Sequence, residues 1–255
     1  MQVRFTLEYD GTNYCGWQLQ RDQDSIQGRV EKALATIFTS PIRVRAAGRT
    51  DAGVHALAQV ACARLPRPFA ADELQRALNS LLPVDIVILD VAPVDERFDP
   101  RRDATSRIYE YRIINRHDPS AFEHRRAWLI HDPIDFDAMA AAAPAIIGTH
   151  DFAAFRSVGT PEKTTRRTVI ESRWTRNEDL FVYRIEGNSF MRHMVRTIVA
   201  AMVEIGRQKA PVQWLTELLL LGERRKAPAP APAAGLFLVE VRYPPSLANG
   251  AISAP

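Results

Sequence analysis

The sequence predicts an α+β protein built as two halves of similar outline, and three observations predict it. Segments that alternate apolar and polar residues recur along the chain. Between them lie stretches whose apolar residues return every three or four positions. The order of these elements over residues 1–105 is repeated in outline over residues 106–245, although no sequence repeat joins the two.

In the first half, Val3, Phe5, Leu7 and Tyr9 alternate with polar neighbours and define a strand with one buried face. Asp24-Ser25-Ile26-Gln27 resembles a capping box, and Ile26, Val30, Ala33, Leu34 and Ile37 continue it as one helical face. Residues Ile42–Ala46 and Leu57–Arg64 read as strands. Asp72 is expected to cap a helix with Leu74, Leu78 and Leu81 on one face, followed by a strand from Val84 to Val91. In the second half, Arg107–Ile114 reads as a strand and Asp137–Ile147 as an alanine-rich helix. Val169–Arg176 and Leu180–Glu186 form a hairpin around Asn177-Glu178-Asp179. Helices are predicted over Phe190–Ile205 and Pro211–Leu221, with a last strand over Leu236–Val241. Alternating alanine and proline from Ala227 to Pro232 form a stiff spacer, and the tail from about Ser246 is expected to be disordered.

Composition narrows the class. With 46% hydrophobic and 25% charged residues, the 255-residue chain has the balance of a soluble globular protein. No apolar run approaches the ~18 residues of a membrane span. The first residues alternate like a strand and lack the apolar core of a secretion signal, and two cysteines, Cys15 and Cys62, make no disulfide framework. The expectation is a cytoplasmic protein. All but four of its 33 basic residues are arginine. A GC-rich genome accounts for such a total, so clustering is the better signal. Arg97, Arg101, Arg102, Arg107, Arg112 and Arg116, then Arg125-Arg126 and Arg166-Arg167, concentrate guanidinium groups in the middle of the chain. Such groups pair with phosphates and stack on exposed bases.

The most informative segment is Ala47-Gly48-Arg49-Thr50-Asp51-Ala52-Gly53-Val54-His55-Ala56. It sets one carboxylate, Asp51, on a glycine-bracketed turn just after a strand, where the backbone bends tightly and a large partner can come close. Taken whole, the segment resembles the catalytic motif of the tRNA pseudouridine synthase A family. Tyr9-Asp10-Gly11-Thr12, Gly16-Trp17-Gln18, Ile26-Gln27-Gly28, Arg107-Ile108-Tyr109-Glu110-Tyr111, Asp151-Phe152-Ala153-Ala154-Phe155, Met194-Val195-Arg196 and Gly235-Leu236-Phe237-Leu238 follow in family order. One departure stands out: Met191-Arg192 precedes His193, where the family has leucine and an aromatic residue.

The resemblance implies two halves that share a continuous mixed, mainly antiparallel sheet flanked by helices, with a central cleft. It implies isomerisation of uridine to pseudouridine in the anticodon stem-loop of tRNA, at family positions 38–40, by a cytoplasmic homodimer without metal or cofactor. That reaction breaks the N-glycosidic bond, turns the uracil and joins its C5 to the sugar. A carboxylate serves as nucleophile or base, and Asp51 matches that role; attack on sugar, attack on base and proton removal all remain open. Arg196 is implied as its ion-pair partner, on a helix whose apolar stripe is Met194, Ile198, Ala201 and Ile205. Tyr109 matches the residue on which the uracil stacks, an interaction of about 1–3 kcal/mol per base. Arg49 matches the residue that fills the space of the flipped nucleotide.

Rival classes leave weaker traces. His117, His124 and His131 are evenly spaced, but no Cys or Asp pattern completes a metal ligand set. Neither a P-loop nor a GxGxxG follows a strand. A non-catalytic RNA-binding protein would use the same arginines and aromatics, but has no use for a carboxylate facing phosphates.

Overall fold

The computed structural model describes residues 1–157, 159 and 164–248. The chain divides into two compact units: Met1–Ser106 with the chain from Leu238 onward, and Arg107–Phe237. Both are α+β, with mostly antiparallel pairing and one parallel pair in the second unit.

The first unit is laid down in the order β1 (Gln2–Tyr9), α1 (Ile26–Phe38), β2 (Val44–Ala46), β3 (His55–Arg64), α2 (Ala71–Leu81) and β4 (Ile86–Val94). Strand β1 pairs antiparallel with β3 on one side and β4 on the other, so Phe5 lies between Ala61 and Val91. Strand β2 extends β3, and the last strand of the chain, Leu236–Arg242, runs beside β3. The alternation read in β1 is what buries Val3, Phe5, Leu7 and Tyr9. Ile26, Leu34, Leu74, Leu78, Ile86 and Ile88 fill the core against it.

Three readings of these helices are corrected. Ser25 alone caps α1, its hydroxyl accepting the Gly28 amide at 3.2 Å; Gln27 turns away to donate to Glu31 and to the Val44 carbonyl. The N-cap of α2 is Ala70, without a side-chain bond. Asp72 sits one residue inside with Glu73, where carboxylates act on the helix dipole instead of on the orphan amides. Leu81, expected on the buried face, is exposed because the helix ends there and Leu82 takes the core position.

The second unit runs β5 (Ser106–Asn115), β6 (Trp128–Ile130), α3 (Phe136–Ala142), β7 (Gly148–Asp151), β8 (Arg166–Asn177), β9 (Leu180–Gly187), α4 (Met194–Gly206) and α5 (Trp214–Leu221). Its strands lie in the order β5-β9-β8-β7, all antiparallel, with short β6 parallel to β5. Strands β6 and β7 escaped the sequence reading because three or four residues are too few to show a period. The helix expected to run to Ile147 tightens to a 3₁₀ turn over Ala143–Ile146, where Pro144 has no amide to continue it. Helix α4 begins four residues later than its apolar pattern suggests, because His193 adopts φ 63° and breaks the helix there. The tail begins as a short helical turn, Pro245–Ala248, with the Leu247 carbonyl accepting from Arg4 at 3.3 Å. The rest of the expected disordered tail, 249–255, lies outside the described residues.

Helix α4 carries one conflict with its surroundings. Thr197 is fully buried and its hydroxyl has no hydrogen-bond partner. An orphaned buried polar group costs about 1–3 kcal/mol, and valine has the same shape without it. Thr197→Val should therefore raise unfolding stability by about 1 kcal/mol or more in urea titrations. A loss of stability would show that the hydroxyl is satisfied in solution.

Candidate active site

The loop between β2 and β3 carries Arg49 and Asp51, and has no strand ladder to fix it. Its peptide groups are held instead by the segment that follows β1. The Trp17 amide donates to the Thr50 carbonyl at 3.1 Å, and the Gly53 amide donates to the Tyr14 carbonyl at 3.3 Å. Inside the loop, the Val54 amide closes a turn on the Asp51 carbonyl at 3.1 Å, with Gly53 at φ 76°. Asp51 is thereby fixed on both sides and half-exposed, while Arg49 is exposed.

Such an approach of backbone to backbone needs two missing side chains. A Cβ on Gly11 would lie 2.0 Å from the Val54 carbonyl oxygen. One on Gly16, which has φ +91°, would lie 2.5 Å from the Thr50 carbonyl oxygen and 2.9 Å from the Asp51 carbonyl carbon. The same segment also satisfies the start of α1. The carbonyls of Gly16 and Trp17 accept the amides of Ile26 at 3.2 Å and Gln27 at 2.9 Å, beside the Ser25 cap. Gly16 thus touches the Asp51 loop and the helix at once.

Buried side chains close the underside. Tyr9 shares a 2.8 Å hydrogen bond with the Thr50 hydroxyl. The Gln59 amide donates to the Gly48 carbonyl at 2.9 Å and to Tyr9 at 3.4 Å. His55, 2% exposed, accepts the Gly11 amide on Nδ1 at 3.1 Å. Asp10 Oδ1 lies 3.2 Å from that nitrogen and accepts from the Thr12 amide and hydroxyl. The nitrogen that accepts the amide has no proton for Asp10, so this contact is not an ion pair while the ring is neutral. The Tyr14 hydroxyl donates to Asp85 at 2.6 Å; burial and that bond hold its pKa well above the ordinary phenol value.

Tyr109 and Arg196 lie in the second unit. Tyr109 stands on β5 opposite Ile185 and is 8% exposed. Its ring meets Phe190 edge-on, with centroids 5.2 Å apart. Phe190 in turn fits over Gly187, where a Cβ would fall 2.9 Å from the ring. Tyr111, on the same strand face, is wholly buried and donates to the Pro232 carbonyl at 2.7 Å. Burial pushes its phenol pKa up, with Arg196 opposing.

Arg196, in the first turn of α4, donates through Nε to the Ala231 carbonyl at 2.7 Å, and its own carbonyl accepts the Ala231 amide at 3.1 Å. The alanine–proline stretch read as a spacer is therefore docked on α4, with Ala231 only 2% exposed. Of the evenly spaced histidines, His117 and His131 meet edge-on with ring centroids 6.3 Å apart, and His124 does not join them. His124 and His131 bond the carbonyls of Ala121 and His117, and His117 lies beside Asp118. Among the described residues no helix is long and apolar enough to cross a membrane.

Sequence reasoning quoted Gly11, Gly16 and His55 inside matched segments without giving them work. Their work is to hold the Asp51 backbone.

A carboxylate on a braced, half-exposed turn in an α+β scaffold is the feature against which the comparisons with known proteins are set. A family model described as tRNA pseudouridine synthase matches residues 6–101 and 142–244. A tRNA pseudouridine synthase A from Myxococcus xanthus is 39% identical over 256 residues, covering 98% of this chain and 96% of the relative. Another from Idiomarina loihiensis is 41% identical over 244 residues, covering 96% and 94%. A third, from Nitrosomonas eutropha, is 42% identical and covers 95% and 88%. The chain belongs to the tRNA pseudouridine synthase family.

The brace is testable without any assay of chemistry. Gly16→Ala should lower unfolding stability by about 1–3 kcal/mol, the usual cost of overpacking. It should also speed hydrogen exchange at the Trp17 amide, whose acceptor is the Thr50 carbonyl. Unchanged exchange would mean that the loop does not depend on this approach.

Proposed function

We infer that this protein isomerises uridine to pseudouridine in tRNA, within the anticodon stem-loop, and that Asp51 carries the chemistry. The observation that carries this reading is the Asp51 turn. In a chain of this family, a single carboxylate is held half-exposed on a backbone anchored at Thr50 and Gly53. Anchoring removes backbone entropy before substrate arrives, which is the part of a barrier that positioning lowers. The carboxylate acts as nucleophile or base as the glycosidic bond breaks, and no redox change or phosphoryl donor is needed to balance the rearrangement.

The other roles follow from side-chain chemistry. Tyr109 offers an aromatic ring, already packed edge-on against Phe190, for the uracil to stack on. Arg49 is long, cationic and exposed, suited to occupying the space of a nucleotide turned out of a stem. Arg196 is assigned as the cation that pairs with the Asp51 carboxylate. Its docking to Ala231 through Nε limits the positions its guanidinium can take. A cytoplasmic homodimer completes the reading, and size-exclusion chromatography with light scattering tests the oligomeric state.

The decisive experiment follows tritium release from C5 of labelled uridine in tRNA transcripts, with no added cofactor. Wild type should release tritium, and Asp51→Asn should fall by at least about 10³-fold, as expected when a nucleophile or base is removed. Near-normal release by Asp51→Asn would remove the assignment. Arg196→Ala should lose most activity with its fold intact, whereas Arg207→Ala, which removes a 3.0 Å pair with Glu204 and a cation–π contact over Trp128, should not. Tyr109→Phe separates stacking from proton transfer: a rate within about threefold of wild type leaves stacking alone.

A further inference from the structure

The second unit contains a cavity of about 920 Å³ that the reaction chemistry leaves unused. Its wall is built from Arg192 and His193 just before α4, Ser157, and the turn Glu223-Arg224-Arg225 after α5. Among the described lining residues three guanidinium groups stand with one carboxylate, which is engaged, and Ala227, Ala229 and Pro230 complete the wall. Glu223 accepts from Arg225 at 2.7 Å and lies 3.6 Å from Lys226, and these cations hold its pKa below the ordinary value. Arg224 is fixed by a 2.8 Å bond to the Ala227 carbonyl.

Two further features give the wall the same sign. Helix α4 opens there with no acidic residue in its first turn and no side-chain cap, so its positive end adds to the field. His193 holds φ 63°, an uncommon backbone for a residue other than glycine; the Ser157 hydroxyl contacts its Nδ1 at 2.8 Å. Among the described lining residues the polar groups are three guanidiniums, the His193 imidazole, the Ser157 hydroxyl and one carboxylate, with no Phe, Tyr, Trp, Asn or Gln. What remains is chemistry for a phosphodiester oxyanion.

We propose that this cavity is a backbone-phosphate site for the RNA substrate, with Arg192 and Arg225 as its principal contacts. The inference rests on the reading of the protein as an enzyme acting on tRNA. The site contributes affinity and register and no sequence readout, as phosphate contacts do.

The test is the salt dependence of tRNA binding by the full chain, measured by filter binding between about 50 and 200 mM salt. Arg192→Gln and Arg225→Gln should each weaken binding and flatten the slope of log K against log salt by about 1, and the double variant by about 2. Replacement of each arginine by lysine should restore the slope, because a point charge still releases a counterion, whereas a merely structural arginine would not be rescued in slope. A double glutamine variant with the wild-type slope overturns the proposal. Saturable binding of inorganic phosphate at matched ionic strength, lost in the variants while the tRNA slope stays, also overturns it, by assigning the cavity to a free phosphate compound. Tritium release by the wild type, run alongside, separates the two readings. Release with an unchanged slope defeats the cavity alone, whereas neither release nor tRNA binding defeats both.

Discussion

The absence of a side chain at two positions, Gly11 and Gly16, is the constraint on which the first unit's functional loop depends. A turn that joins two strands cannot borrow ladder hydrogen bonds, and its peptide groups must find partners elsewhere. Here they find them on the segment that follows β1, and only glycine lets that backbone come within reach. The arrangement is economical because the segment has a second duty. Its carbonyls at 16 and 17 satisfy the first amides of α1, so the helix, the segment and the Asp51 turn are one hydrogen-bonded body.

The legible parts of the molecule were those where one residue type suffices to signal its place. Alternation in β1 and the helical faces of α1 and α4 follow from burial against a single core, and their patterns are visible without knowing what they pack against. The Asp51 turn was legible because glycine on both sides of an Asp is a local signature. Boundaries were not, since they hang on particular events: αL backbone at His193, the missing amide of Pro144, the exposure of Leu81 where α2 stops. The brace around Asp51 was invisible for a different reason. Its bonds join main-chain atoms more than thirty residues apart, and main-chain donors and acceptors leave no mark in composition or period.

Tyr109 and Tyr111 show the same limit on one strand. Sequence places both on one face, and so they are. One is sealed, its hydroxyl on the Pro232 carbonyl; the other ends against the edge of Phe190. The difference is made by neighbours far along the chain: the 227–232 stretch that docks on α4, and Gly187, whose bare backbone admits the Phe190 ring. A stretch of alternating alanine and proline reads as a spacer because its composition is stiff and apolar. Stiffness also suits it to lie along a helix, since a segment with little backbone freedom loses little on docking.

Arg196 and Arg192 sit four residues apart and illustrate how one side chain serves two ends. Arg196 spends its Nε on the Ala231 carbonyl, and the same alanine returns a bond to the Arg196 backbone. A guanidinium anchored through one nitrogen keeps its remaining donors in a fixed plane, which is what a single, geometrically demanding carboxylate needs. Arg192 is exposed on a cavity wall whose other cations come from a separate turn. For the phosphodiester proposed to bind there, summed charge would matter more than the direction of any one donor, because its oxygens are presented over a wide arc and RNA backbones vary. On the proposed roles, Arg196 would tolerate no change of shape, whereas the Arg192 site would tolerate any cation. That difference in tolerance separates a residue that orients chemistry from one that holds a polymer.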